Sequence, residues 1–192
     1  MEKKMKRKGI ICSFGTVICA LILLQFGSPV RAYSAEQFPD AKFTLPAPDS
    51  VQAQKYLGLN EMEPFGLSDI KATLVVVEFM SALCPHCHTN APIVNNLYKT
   101  IQGDSHLADV KVIAIAVGNE KAEVEAYKKK FKVDFPVLLD EDCAVSASMG
   151  GIATPTTMII STENGKVLYT NVGVIQDTDC FLRQLKSLHK KK

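Results

Sequence analysis

Two thiols three residues apart, in Cys84-Pro85-His86-Cys87, are the side chains of this sequence best suited to chemistry. They follow the apolar run Val75-Val76-Val77-Glu78-Phe79, which reads as a strand, and they open what reads as a helix. A helix N-terminus carries unsatisfied N–H groups and a partial positive charge, and both stabilise a thiolate. In this reading Cys84 sits at that terminus. Pro85 fills the first turn, where its missing N–H costs nothing, and His86 adds a second positive charge beside the sulfur. The Cys84 thiol pKa is then lowered, and the thiolate is the reactive form. The pair suits thiol–disulfide exchange, with Cys84 as the attacking or attacked sulfur and Cys87 as the resolving one. Glu78 is a carboxylate inside an apolar strand. If buried, it has a raised pKa and can carry a proton to or from Cys87 through water; the alternative is a strand-end glutamate that reaches solvent.

Other candidates are weaker. Cys143 and Cys180 could form a structural disulfide, stay as two free buried thiols, or include a regulatory thiol; sequence supplies no Cα separation to decide. Cys84, Cys87, His86 and His88 could hold copper as soft S/N ligands. Adjacent motif residues do not all converge on one ion, however, and no second Cys-x-x-Cys completes a zinc site, so no metal is expected. The only redox group expected is the disulfide itself, with no bound cofactor. His88 is expected on the surface.

The elements that must position these residues are legible in outline. Thr73–Phe79 is a buried strand, and a helix runs from about Pro85 to Ile101, with Gly103 as a stop and Pro92 inside it. Val110–Val117 is a second buried strand, Glu120–Phe131 a helix, Phe135–Leu139 a short strand and Ala144–Met149 a short helix. Thr156–Ser161 and Lys166–Val172 form a hairpin across Asn164-Gly165. Asp177 or Thr178 caps a last helix with an apolar stripe of Phe181, Leu182, Leu185 and Leu188. A short edge strand lies near Phe43-Thr44-Leu45, and residues 51–72 read as a β-hairpin region with loops.

The chain has 192 residues, enough for one domain with its own core. Five basic residues among the first eight precede an uncharged run from Gly9 to Val30. Residues 1–32 therefore read as a secretory signal, cleaved after Ala32, or as a retained membrane anchor over 9–30. Residues 33–42 read as a linker and 43–192 as the folded domain. The leader holds six basic residues and one acidic, so the formal +2 of the chain becomes −3 over residues 33–192. Nothing in that balance suggests a nucleic-acid partner. Membrane contact is expected only through the N-terminal segment. Export, to the periplasm or cell envelope, places four cysteines where disulfides persist.

Val77-Glu78-Phe79-Met80-Ser81-Ala82-Leu83-Cys84-Pro85-His86-Cys87 resembles the active-site segment of DsbA-type thiol oxidases, and Glu78 stands at the place of thioredoxin's buried acid. Strand, helix, strand, helix, then hairpin and helix is the thioredoxin order. The fold implied is α/β and thioredoxin-like, a central mixed sheet with helices on both faces. Ala153-Thr154-Pro155-Thr156-Thr157 resembles the cis-proline loop of that superfamily, which implies that Thr154 and Pro155 shape the substrate groove. The 68-position interval from Cys87 to Pro155 is similar to that of the TlpA/ResA and redoxin (AhpC/TSA) group, with its extra helix and strand. Two departures stand out. Asn90 replaces the acid often found in the helix after the second cysteine, and Leu83 replaces the tryptophan usual before the first. The resemblance implies an extracytoplasmic thiol–disulfide oxidoreductase. Its partners are protein thiols and disulfides and a redox partner protein, which could be membrane-embedded. The CPHC sequence implies an oxidant or isomerase, and the TlpA-like body a reductant such as serves cytochrome c maturation. A thiol peroxidase is a further alternative, with Ser81 only a partial match to the Thr-x-x-Cys setting.

Overall fold

Every residue of β3 (Leu74–Met80) is buried, as expected of a Val-rich strand covered on both faces. The computed structural model describes residues 38–191. The proposed signal or anchor, with Cys12 and Cys19, and residues 33–37 of the proposed linker lie outside the described residues. β3 is the centre of a five-stranded sheet in the order β5-β4-β3-β6-β7. β4 (Val110–Val117) and β5 (Val137–Asp140) run parallel to it, with the helices α2 (Pro85–Gly103) and α3 (Lys121–Phe131) in the crossovers. β6 (Thr156–Ser161) is antiparallel to β3, and β7 (Val167–Val172) antiparallel to β6.

Alternation along β3 divides the core. Leu74, Val76 and Met80 pack under α2, α3 and the C-terminal helix α5 (Thr178–His189). Val75, Val77 and Phe79 pack against α1 (Val51–Leu57) and α4 (Ala144–Ser148) on the other face. The sheet is mixed and helices cover both faces, as the thioredoxin resemblance implies.

Residues 51–72 are not a hairpin region. Ser50 Oγ accepts the Ala53 N–H at 3.2 Å and starts α1, which buries Ala53 and Leu57 one turn apart. Gly58 ends it at φ 72, where a Cβ would stand 2.7 Å from the Lys71 Cβ. The β-structure of this region is a two-residue bridge between β1 (Thr44–Leu45) and β2 (Phe65–Gly66), with α1 between them in sequence. Of the proposed linker, Ala41 is buried and donates its N–H to the Gly165 carbonyl at 2.7 Å. Helix α2 runs through Gly103 to its cap at Asp104. β5 begins beyond Pro136, whose carbonyl accepts the Ala114 N–H.

Candidate active site

The β3–β6 register brings the site together. Phe79 pairs with Thr156, so β3 ends where β6 begins, and the segments 81–84 and 153–155 meet there. Cys84 is the N-cap of α2 in an extended conformation, with Pro85 in the first turn. Cys84 is half-buried; Cys87, one turn further on, is fully buried. The Thr154–Pro155 peptide bond is cis. The Cys84 thiol donates to the Thr154 carbonyl at 3.5 Å, and Ser81 N–H donates to Cys87 Sγ at 3.4 Å.

Burial pushes the Cys84 thiol up, but several groups act against it. The Cys87 N–H, the Cys87 thiol, the Thr154 hydroxyl and the His86 N–H all favour its thiolate, and together they hold its pKa below the ordinary value. His86 thus reaches the sulfur through its backbone, while the residue itself is exposed. The sequence places a charged His86 ring beside the sulfur; the His86 contact that acts on the thiolate here is its backbone N–H, one of the orphan donors of the first helical turn. For Cys87, burial dominates and pushes the thiol up to about 12, and the nearby Cys84 sulfur adds to the effect. The two thiols are held in opposite states: one poised to ionise, the other kept protonated.

Glu78 is 2% exposed, which removes the alternative of a strand-end side chain reaching water. Burial raises its pKa to about 7, opposed by the Asn90 side chain, whose Nδ2 donates to Oε1 at 2.7 Å. Asn90 therefore occupies the position of the missing acid and binds the acid that is present. Its Oδ1 accepts the Ile175 N–H at 3.0 Å, which ties α2 to the loop before α5.

Three further residues hold the site, none of which the sequence singles out for that role. Asn119, buried just past β4, accepts the Ala82 N–H at 2.9 Å and donates to Glu123 Oε2 at 2.9 Å. Its place beyond the carboxyl end of a parallel strand is where sites of α/β folds gather, and that was the available clue. Tyr127 of α3 donates its hydroxyl to the Cys87 carbonyl at 3.2 Å. His88 is half-buried rather than a surface residue: Nε2 lies 2.7 Å from the Ala82 carbonyl, and the ring lies 5.1 Å from that of Phe131. Leu83 is 68% exposed, and Val172, paired with Thr156, is exposed beside Pro155.

Cys143 and Cys180 are free thiols. Cys143 Sγ lies 3.2 Å from where a Gly118 Cβ would stand, just past β4. Cys180 is in the first turn of α5, near Tyr169 of β7. β4 and β7 are three places apart in the sheet, about 14 Å at the usual strand spacing. That exceeds the reach of a disulfide.

A mixed sheet with a dithiol at a helix N-terminus, facing a cis-proline loop, defines a thioredoxin-fold dithiol protein. The Redoxin family model matches residues 34–187, and the chain belongs to that family. It is 28% identical over 166 residues to thiol-disulfide oxidoreductase ResA of Geobacillus thermodenitrificans, which covers 85% of this chain and 88% of that protein. It is 32% identical over 112 residues to ResA of Bacillus subtilis, which covers 58% of this chain and 60% of that protein. Among solved structures, StoA from Bacillus subtilis superposes with a TM-score of 0.57 at 19% identity, covering 77% of this chain and 99% of that one. A thioredoxin-family thiol:disulfide interchange protein from Chlorobium tepidum TLS gives 0.56 at 23%, covering 79% and 95%. These two structures speak to the fold; the sequence relatives speak to the activity. Within its family the chain is a thiol-disulfide oxidoreductase of the ResA type, and its partners are protein thiols and disulfides.

Proposed function

We propose that Cys84 and Cys87 are the redox couple, and that the protein uses them outside the cytosol to oxidise client dithiols. A client thiolate attacks Cys84 of the disulfide form. A client–Cys84 bond forms, the Cys84–Cys87 bond breaks, and Cys87 leaves as a thiolate that takes a proton relayed from Glu78. The client's second thiolate then attacks the client sulfur of the mixed disulfide. Cys84 leaves as the stabilised thiolate, and two electrons have passed from client to protein. No hydrogen bond joins Glu78 to Cys87 among the described residues, so the proton crosses through a water. Thr154, Pro155 and the exposed Leu83 and Val172 form the groove that receives the client chain.

The observation that carries this reading is the opposed setting of the two thiols, Cys84 below and Cys87 above the ordinary value. A stabilised Cys84 thiolate favours the reduced form and so makes the disulfide an oxidant. A second redox protein restores the disulfide, with no other cofactor. The basic leader and the uncharged run over 9–30 support export, and a membrane-embedded partner would meet the protein there. No helix of the described residues is long and apolar enough to cross a membrane. Acid quench and thiol labelling of whole cells test the direction: a couple trapped mainly oxidised is expected. One trapped almost wholly reduced favours the reductase reading.

A further inference from the structure

Thr157 and Glu78 face each other across β3 and β6. They are paired directly in the antiparallel register, so their side chains leave the same face of the sheet with Cβ atoms about 5 Å apart. That face is the core under α2 and α5, and Thr157 is 0% exposed within it. Its Oγ1 is buried with no hydrogen-bond partner among the described residues. A buried hydroxyl left unpaired is costly, and a valine would fill this strand position without that cost. The Glu78 carboxyl, for its part, receives a side-chain donor only from Asn90 among the described residues, whereas an ionised carboxylate has about four lone-pair sites to satisfy.

We propose that Thr157 is a positioning residue for Glu78, its hydroxyl turning to donate to the carboxylate when the acid is ionised and to accept from the carboxylic O–H when it is protonated. The inference rests on Glu78 as the proton carrier of the exchange. The step is a proton transfer alone: Cys87–S⁻ and Glu78–COOH become Cys87–SH and Glu78–COO⁻, and Thr157 stabilises the side on which Glu78 is charged. The other groups near Glu78 do not duplicate this role. Cys84 and Cys87 come from α2, and the Tyr127 hydroxyl of α3 is committed to the Cys87 carbonyl. From β4 the paired residue is Ala114, and Ile175 and Phe181, before and on α5, are apolar. Asn171, opposite Thr157 on β7, gives its Nδ2 to the Gly173 carbonyl.

The test is the titration of the Glu78 carboxyl by carbon NMR in the full chain, reduced and oxidised, for the wild type, Thr157→Val and Thr157→Ser. Glu78→Gln assigns the signal. Thr157→Val is expected to raise the Glu78 midpoint by about one pH unit, a tenfold change in its ionisation, and Thr157→Ser to restore it. A Val variant that titrates like the wild type, or a Ser variant displaced as far as Val, overturns the proposal. In the unsubstituted protein the Thr157 Cβ shift should inflect at the Glu78 midpoint. A flat Thr157 signal overturns the proposal without any variant. Because the readout is protonation and not turnover, a protein in which Glu78 proves dispensable for exchange still gives a clear answer on Thr157.

Discussion

Replacing Glu78 by Gln should remove a loss of stability that grows as the pH rises. Below about pH 4.5 the carboxyl is protonated both in the folded protein and in the unfolded chain, so it contributes no pH dependence. Between 4.5 and about 7 the unfolded chain releases the proton and the folded protein keeps it, so stability falls with pH. Above about 7 both states are ionised and the loss is constant. The interval of about 2.5 pH units at ~1.36 kcal/mol each makes that loss about 3 kcal/mol. Gln removes the ionisation while keeping a carbonyl oxygen for Asn90 Nδ2. Its amide adds a buried donor, whose cost does not depend on pH and cancels when only the pH dependence is read. Urea unfolding of the reduced wild type and variant at pH 4, 6 and 8, with phosphine reductant throughout, gives the difference directly. The stability advantage of the variant should grow by about 3 kcal/mol from pH 4 to pH 8. A difference that stays flat over that range would refute a buried, pKa-raised Glu78.

Iodoacetamide should label Cys84 of the reduced protein well below the pH at which an ordinary thiol reacts, and leave Cys87 unlabelled until the fold opens; peptide mapping against pH reads both. His86→Pro should lower the reduction potential of the couple, because proline removes the N–H that supports the Cys84 thiolate. His86→Ala keeps that N–H and should shift the potential much less, and equal shifts in the two variants would return the effect to the ring. Asn119→Ala leaves the Ala82 N–H without its buried acceptor and should cost about 1–3 kcal/mol in urea unfolding. An Asn119→Ala variant as stable as wild type would mean that the loop before Cys84 is held by other contacts.

The strands and helices that carry the site were legible because each announced itself locally. Val110–Val117 is a β-branched, mostly apolar run, Thr156–Ser161 leads into the Asn164-Gly165 turn, and the structure forms both strands over those limits. Asp177 caps α5 as an N-cap aspartate should, accepting the Cys180 N–H at 2.7 Å. Where the reading failed, the deciding interaction was either a cap or a long-range contact. Ser50 and Gly58 delimit a seven-residue helix too short for its periodicity to stand out. The dithiol and its place at a helix N-terminus could be read from four residues. That Thr154, 70 positions from Cys84, faces the thiols was legible only through the cis-proline resemblance, and the burial of Cys87 with its Ser81 N–H contact was not legible at all. Nor was the Ala82–Asn119 bond or the Glu78–Thr157 pairing, each of which exists only once β3 lies between β4 and β6. Cys143 and Cys180 show the same limit: an even count of thiols permits a bridge, and only the order of strands forbids it.

If Cys84 and Cys87 form one exchangeable two-electron couple, equilibration in defined thiol–disulfide buffers will reveal it. After acid quench and alkylation, intact mass and peptide mapping should show a single transition in which only the Cys84–Cys87 peptide gains and loses a disulfide. Its midpoint should lie well above the ~−300 mV below which structural disulfides fall, with Cys143 and Cys180 reduced throughout. A couple that stays reduced across the buffer series, a midpoint in the structural range, or a bond that forms through Cys143 or Cys180 would show that Cys84 and Cys87 are not the redox couple.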